Sequence, residues 1–247
     1  MERNLKAVVL AAGKGTRLNS EAYDLPKVMR VAGGRPLLKY VLAAIDFIGA
    51  ENTIIVVGYK KEAVISAFPG YTFAEQKEQL GTGHAVMAAA GALQGFEGSV
   101  LVCCGDMPLI KRESLLALVD AHFSESNACT ILSGTSDEPL DYGRIVRDEN
   151  GNFLRMVEHK DCSEEERKIR ELNSGVYIFE APELLRALTK LSRNNAQGEY
   201  YLTDVPAILR SEGKRVGVCC RHLGTELLGV NTPEQLRRVE ELLKTER

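Results

Sequence analysis

The chain has 247 residues, with 31 Lys and Arg against 34 Asp and Glu, a formal net charge of -3. That balance argues against a broad nucleic-acid-binding face, and the length fits one large α/β domain or two small ones. Hydrophobic residues make up 45% of the chain, enough for a buried core, yet no run reaches the ~20 apolar residues of a membrane span.

From the start, Met1-Glu2-Arg3-Asn4-Leu5-Lys6 leads into a strand without a secretory signal, which predicts a cytoplasmic protein. Ala7–Leu10 predicts that strand, and it runs into Leu10-Ala11-Ala12-Gly13-Lys14-Gly15-Thr16-Arg17. A small, glycine-rich turn behind a buried strand presents backbone N–H groups that can wrap a phosphate chain. Arg17 and Lys27 add two permanent cations beside it. Two other phosphate motifs are excluded. Leu18 stands where G-x-G-x-x-G requires its third glycine, and Thr16 follows Gly15 where a Walker loop requires lysine. The alternative is a plain glycine turn between strand and helix.

Pro36–Ile48 predicts a helix, Thr53–Val57 a strand and Lys61–Phe68 a short helix. Gln76, Gln79, Gly81 and Thr82 form a polar approach to the alanine-rich helix Thr82–Leu93. They suit a nucleobase edge, or equally an ordinary connection. Ser99–Cys103 predicts a buried strand ending at Gly105-Asp106, ahead of a helix over Arg112–Phe123. A carboxylate at the C-terminal end of a central strand is well placed for a ligand, and facing phosphate it suggests Mg²⁺. A turn aspartate capping the next helix is the other reading. Continuous apolar strands separated by helices imply a parallel sheet covered on both faces.

The second half reads differently. Arg144–Val146, Phe153–Val157 and Val176–Phe179 predict strands of a mixed or antiparallel extension over one end of the parallel sheet. Glu158, and Asn173 with Gly175, interrupt these apolar runs with a carboxylate and a carboxamide suited to hydroxyl-rich ligands. Ser163–Lys168 is a charged run with a capping-box start, read as a solvated helix face. Asn194–Tyr201 is polar and aromatic, and either shapes the pocket or only links elements. Leu227–Val230 predicts a short strand, after which Asn231 stands at the mouth of a helix starting Thr232-Pro233-Glu234-Gln235. Asn231 is either a second oxygen for the metal or a helix cap. The six cysteines have no C-x-x-C spacing and read as reduced core residues, and the four histidines form no cluster. With no proline- or serine-rich linker, one continuous domain of two lobes is expected: roughly 1–135, then 136–230, with a last helix over 232–245.

These residues resemble the nucleotidyltransferases that join a sugar 1-phosphate to a nucleoside triphosphate. The resemblance is greatest to the pyrophosphorylase domains of bacterial bifunctional N-acetylglucosamine-1-phosphate uridylyltransferases. Beyond LAAGKGTR it rests on LPKV (Leu25–Val28), EQLGTGHA (Glu78–Ala85), GDMPLI (Gly105–Ile110), YGRI (Tyr142–Ile145) and VEHKD (Val157–Asp161). LNSGVYIF (Leu172–Phe179), NNAQGEYYLTD (Asn194–Asp204) and GVN (Gly229–Asn231) complete it.

The resemblance implies a Rossmann-like α/β fold, a mostly parallel sheet with a smaller sugar-binding lobe. It implies that Leu10, Ala11, Ala12, Gly13 and Lys27 contact the nucleotide and its phosphates. Gln76, Gly81 and Thr82 go to uracil and neighbouring atoms, with Gln79 and Gly105 also among the substrate-binding residues. Asp106 and Asn231 would hold Mg²⁺, Arg17 would steady the departing pyrophosphate, and Gly143, Glu158 and Asn173 would read the amino sugar. The implied reaction takes UTP and N-acetylglucosamine 1-phosphate to UDP-N-acetylglucosamine and pyrophosphate. The same chemistry on another sugar or base, or a non-catalytic nucleotide-sugar sensor, are the alternatives; oligomeric state is left open.

Three departures stand out. Asn19–Asp24 is longer than the resemblance leads one to expect, and Cys104 stands where relatives often carry tyrosine, which predicts a looser hold on base or ribose. The chain also stops after Leu242-Leu243-Lys244 with no hexapeptide repeat, so no acetyltransferase activity is expected of it.

Overall fold

Short runs of valine, isoleucine and leucine alternate with amphipathic segments. In the computed structural model, which describes residues 4–18, 24–136 and 140–245, these runs become neighbours in one sheet. The first strands are β1 (Leu5–Leu10), β2 (Val31–Ala32), β3 (Arg35–Pro36), β4 (Thr53–Val57), β5 (Thr72–Glu75) and β6 (Ser99–Cys104). Then come β7 (Cys129–Thr135), β8 (Arg144–Arg147), β9 (Phe153–Val157), β10 (Leu172–Glu180) and β11 (Val216–His222). The helices are α1 (Leu37–Ala44), α2 (Lys61–Ala67), α3 (Thr82–Ala88), α4 (Ala90–Leu93) and α5 (Arg112–Glu125). They continue with α6 (Glu164–Arg167), α7 (Ala181–Leu188), α8 (Val205–Ser211) and α9 (Pro233–Thr245).

Strand β1 lies between β4 and β6 and runs parallel to both, with Val8 opposite Ile54 and Val102. The seven-strand path is β11-β7-β10-β6-β1-β4-β5; β10 runs antiparallel to both its neighbours, and β11 is parallel to β7. An antiparallel β8–β9 pair joins the end of β10 through Arg144 and Leu172. The expected α/β class is therefore observed, a mostly parallel sheet with helices on both sides. Side chains alternate across the sheet with a period of two. Ala7 and Val9 meet Leu38 and Val41 of α1 and Leu115 and Leu118 of α5, whereas Val8 meets Val86 of α3 and Leu184 and Leu188 of α7. Each such leucine is fully or nearly fully buried, and truncating one to alanine typically costs ~2–5 kcal/mol.

Several expectations need correction. The helix expected over Pro36–Ile48 is α1 alone, followed by a 3-10 turn at Asp46–Ile48, with Pro36 in the hairpin β2–β3. The helix expected over Thr82–Leu93 divides at Ala89 into α3 and α4. Leu227–Val230 forms no strand: Leu227 closes a 3-10 turn, and Leu228 and Val230 pack with Leu18, Leu37, Leu109 and Val239 beneath α9. A short apolar run serves a small side cluster as well as a sheet, and periodicity cannot separate the two. All six cysteines are free, but Cys220 is exposed on the edge strand β11 and is no core residue. Of the longer segment Asn19–Asp24, only Asp24 lies among the described residues; it pairs with Lys60 at 2.5 Å.

Candidate active site

Because β1, β4, β5 and β6 are parallel, the turns that follow them gather at one edge of the sheet, where α/β proteins bind ligands. Backbone bonds fix those turns to one another. Ala11 N–H donates to Val56 C=O at 2.8 Å, Gly105 N–H to Leu10 C=O at 2.9 Å, and Gln76 N–H to Val57 C=O at 2.8 Å. A cavity of about 260 Å³ opens there, lined by Leu10, Ala12, Gly13, Lys27, Gln76, Gln79, Gly81, Thr82, Cys104, Asp106 and Glu199, among others. A second cavity, of about 200 Å³, lies against β9 and β10, where Tyr142, Gly143, Glu158, Asn173, Gly175 and Asn231 face it. The two share Cys104 and Asp106 as a common wall.

Most of the residues singled out in the sequence therefore meet in one of two adjoining spaces. Ala11 is buried behind the turn, and Gly105 is wedged between Leu10, Val28 and Leu38, so both support the wall without lining it. Arg17 stands exposed in the 3-10 turn Thr16–Leu18, outside both linings. A Cβ placed on Gly13 would meet no protein atom within 4 Å, so packing does not require glycine there.

Lys27 is the centre of the arrangement. Its ammonium forms an ion pair with the Asp106 carboxylate and donates a hydrogen bond to Asn231 Oδ1 at 2.7 Å. Lysine and aspartate side chains are only 15% and 18% exposed, which strengthens the attraction relative to a surface pair. Both capping alternatives fail here. Helix α5 begins after Lys111, whose N–H is held by Glu226, far along the chain from Asp106. At α9 it is the Thr232 hydroxyl that accepts from Gln235 N–H, leaving the Asn231 side chain to Lys27. A carboxylate and an amide oxygen that converge on one cation form a hard donor set that also fits Mg²⁺. Among the described residues no three His, Cys, Asp or Glu side chains gather elsewhere into a metal cluster.

In the first cavity, Gln76 is 4% exposed and its Nε2 donates to Gly81 C=O and to His84 Nδ1, each at 3.1 Å. Those bonds commit the amide nitrogen and leave Oε1 as the atom able to accept from a ligand. Gly81 takes φ +106°, and a Cβ there would lie 2.6 Å from Tyr200 C=O, so any side chain would push the chain apart. The contact exists because Asn194–Tyr201 lies across the start of α3. Tyr200 N–H donates to Leu80 C=O, Gly83 N–H to Tyr200 C=O, and Leu202 N–H to Thr82 Oγ1. That segment shapes the pocket, with Glu199 in its lining.

On the other side, β10 carries a bulge between Asn173 and Val176, with Gly175 at φ +76°. A bulge re-aims the side chains around it. Here Asn173 Nδ2 donates to the Tyr177 hydroxyl at 2.6 Å and Oδ1 accepts from Gly175 N–H at 3.1 Å. One N–H and one oxygen lone pair of the carboxamide remain. Glu158, at the end of β9, accepts from the Thr203 hydroxyl at 3.0 Å, and burial pushes its carboxyl above the ordinary range. Burial, helped by Asp106, likewise pushes the Cys104 thiol up to about 12, so this thiol is no nucleophile at neutral pH. Thr203, in NNAQGEYYLTD, and Tyr142, in YGRI, also belong to the site, although residue type alone does not point to them.

The fold and this pair of cavities define an α/β protein with two adjoining spaces at the carboxyl edge of its parallel strands, divided by a wall that holds a lysine, a carboxylate and a carboxamide together. The chain belongs to the MobA-like NTP transferase domain family, whose model matches residues 7–198. It is 46% identical over 239 residues to the bifunctional protein GlmU of Streptococcus thermophilus (strain CNRZ 1066), covering 96% of this chain and 51% of that protein. Identity to the GlmU proteins of Streptococcus gordonii and of Streptococcus pyogenes serotype M12 (strain MGAS2096) is 45% and 44%, again over 96% of this chain. The chain thus spans about half the length of these relatives, 51–57%. Among the described residues no helix is long and apolar enough to cross a membrane.

Proposed function

We propose that this chain transfers a uridylyl group from UTP to N-acetylglucosamine 1-phosphate, giving UDP-N-acetylglucosamine and pyrophosphate. A phosphate oxygen of the sugar 1-phosphate attacks the α-phosphorus of UTP in line, and the bond from that phosphorus to the pyrophosphate oxygen breaks. Little covalent chemistry falls to the protein; positioning and charge neutralisation carry the reaction. Support comes above all from Lys27, Asp106 and Asn231 converging on the wall between the two cavities. The attacking and attacked phosphates have to meet at that wall.

Mg²⁺ held by Asp106 and Asn231 would neutralise phosphate charge there when bound. Lys27 and the amides of the turn after β1 hold the triphosphate, and Arg17, in its exposed turn, steadies the pyrophosphate as it leaves. Gln76 Oε1 suits a pyrimidine ring N–H, while Gly143, Glu158 and Asn173 hydrogen-bond the sugar. On this reading residues 1–135, roughly, serve the nucleotide and 136–230 the sugar, with Glu199 reaching across to the nucleotide cavity. The similarity to GlmU proteins supports the same assignment.

A pyrophosphate-release assay over several nucleoside triphosphates and sugar 1-phosphates tests the proposal. UTP with N-acetylglucosamine 1-phosphate should give the highest kcat/KM. Comparable values for ATP or GTP would remove the uridylyl assignment, and no turnover with any pair would favour a sensor.

A further inference from the structure

The loop that brings Asn231 to Lys27 has no strand to hold it, yet every backbone N–H from Gly229 to Thr232 is committed. Gly229 N–H donates to the Tyr142 hydroxyl at 2.9 Å, and Val230 N–H to Asp106 C=O at 2.9 Å. Asn231 and Thr232 N–H both donate to Gln235 Oε1, at 2.7 and 3.1 Å. The Tyr142 hydroxyl in turn donates to Leu227 C=O at 2.6 Å, so one phenol oxygen grips the loop at two points two residues apart. A Cβ on Gly229 would sit 3.1 Å from that oxygen, which leaves the approach no slack.

Tyr142 also belongs to the sugar side. Its neighbour Gly143 accepts from Asn173 N–H at 2.9 Å, and a Cβ on Gly143 would lie 3.6 Å from Asn173 Cβ and 3.7 Å from Glu158 Oε2. Residues 142 and 143 therefore stand between the groups that face the sugar and the loop that carries Asn231.

We propose that Tyr142 is a positioning residue that couples sugar-phosphate binding to divalent-cation binding, by locking the Asn231 loop to the Gly143 turn through its hydroxyl. The assignment of sugar and cation roles rests on the function proposed above; the tie itself rests on the hydrogen bonds. Settling of the sugar against Gly143 holds the Tyr142 ring, the ring holds the peptides around Gly229, and Asn231 Oδ1 is held facing Asp106. Gln235 performs the second half of this task alone, from the far side of the loop.

The experiment compares the wild-type chain with Tyr142→Phe and Gln235→Met, using Mn²⁺ alone as the probe and following loss of the free-ion EPR signal. Removing a hydrogen bond of this kind is worth about a factor of ten, so both variants should bind Mn²⁺ about tenfold more weakly. Adding N-acetylglucosamine 1-phosphate should tighten Mn²⁺ binding to the wild type and to Gln235→Met, but not to Tyr142→Phe. In steady state Tyr142→Phe should raise the KM for sugar phosphate and leave that for UTP unchanged. A role confined to folding would instead lower the melting temperature and shift both KM values together. Mn²⁺ affinity in Tyr142→Phe within about twofold of the wild type, or a sugar-phosphate effect kept in full, overturns the proposal. Wild-type protein without turnover on UTP and N-acetylglucosamine 1-phosphate would sink the functional reading, while Mn²⁺ binding without sugar would still decide whether Tyr142 positions Asn231.

Discussion

Glu158→Gln takes a charge out of the second cavity, where the proposed reaction seats the sugar, while keeping the shape of the side chain and an oxygen for the Thr203 hydroxyl. In the native protein burial holds the Glu158 carboxyl above its ordinary value of 4.5, only partly opposed by Thr203. A folded pKa above the unfolded one means that the contribution of this group to stability is fully present below about pH 4.5 and is lost as pH rises through the folded value. Above the folded value the ionised carboxylate is thus a burden on the fold, and there the glutamine variant should melt at the same temperature or higher. Activity should move the other way. Hydrogen bonds to charged groups are worth ~1.5–3 kcal/mol and neutral ones ~0.5–1.5 kcal/mol, a difference of about 1–1.5 kcal/mol. At about 1.4 kcal/mol per factor of ten, kcat/KM for the sugar phosphate should fall roughly tenfold. The assay is pyrophosphate release with sugar phosphate varied at saturating UTP, then the reverse, beside a thermal melt. The wild type should also lose kcat/KM for sugar phosphate as pH falls and Glu158 takes up a proton, along a limb above pH 4.5 that Glu158→Gln lacks. Equal losses for both substrates together with a lower melting temperature would refute the reasoning and make Glu158 a structural residue.

Three further outcomes are expected. Asp106→Ala removes the ion pair of Lys27, leaving its hydrogen bond to Asn231, and should lower kcat by ~10²–10³ at saturating Mg²⁺; near-full activity with the fold intact would contradict the role. Gly81→Ala must hold φ +106° with a Cβ 2.6 Å from Tyr200 C=O, so it should lose ~1–3 kcal/mol in denaturant unfolding and raise the KM for UTP. ATP and GTP should be used about 10²-fold less efficiently than UTP, with dTTP closer to UTP because Cys104 is small, as competition between triphosphates in the pyrophosphate assay would show.

What the sequence revealed, and what it hid, follows from which forces act locally. The turn after β1, Asp106 after β6 and the carboxylate after β9 were legible because each interrupts a continuous apolar run; parallel strands bring the first two to one edge, while the antiparallel β8–β9 pair carries Glu158 to the same cavity as Asp106. Strands β5, β7 and β11 and helices α7 and α8 drew no local signal strong enough to place them. β11, for instance, is an edge strand of mixed exposure whose identity depends on pairing with β7 across the fold. The insertion of β10 antiparallel between β6 and β7 is likewise a property of long-range pairing. At the site, residue types announced Glu158 and Asn173, but nothing local said that Thr203 would reach one and Tyr177 the other. By spacing alone Asn231, beside a helix start, reads first as a cap; in the fold Thr232 takes that task.

The single wall of Cys104 and Asp106 between the two cavities has an energetic corollary. On the proposed reaction, two separate molecules enter and each gives up its freedom to tumble, whereas the sugar nucleotide that forms is one molecule with a foot in each space. Joined ligands keep both sets of contacts and surrender that freedom once. The product gives up the contacts of the departed pyrophosphate but fills both spaces for one loss of freedom, so it should bind more tightly than the sugar 1-phosphate alone. A uridine and an amino sugar linked through an uncleavable diphosphate would inherit the same advantage, which makes the span between the two cavities a ready template for inhibitors.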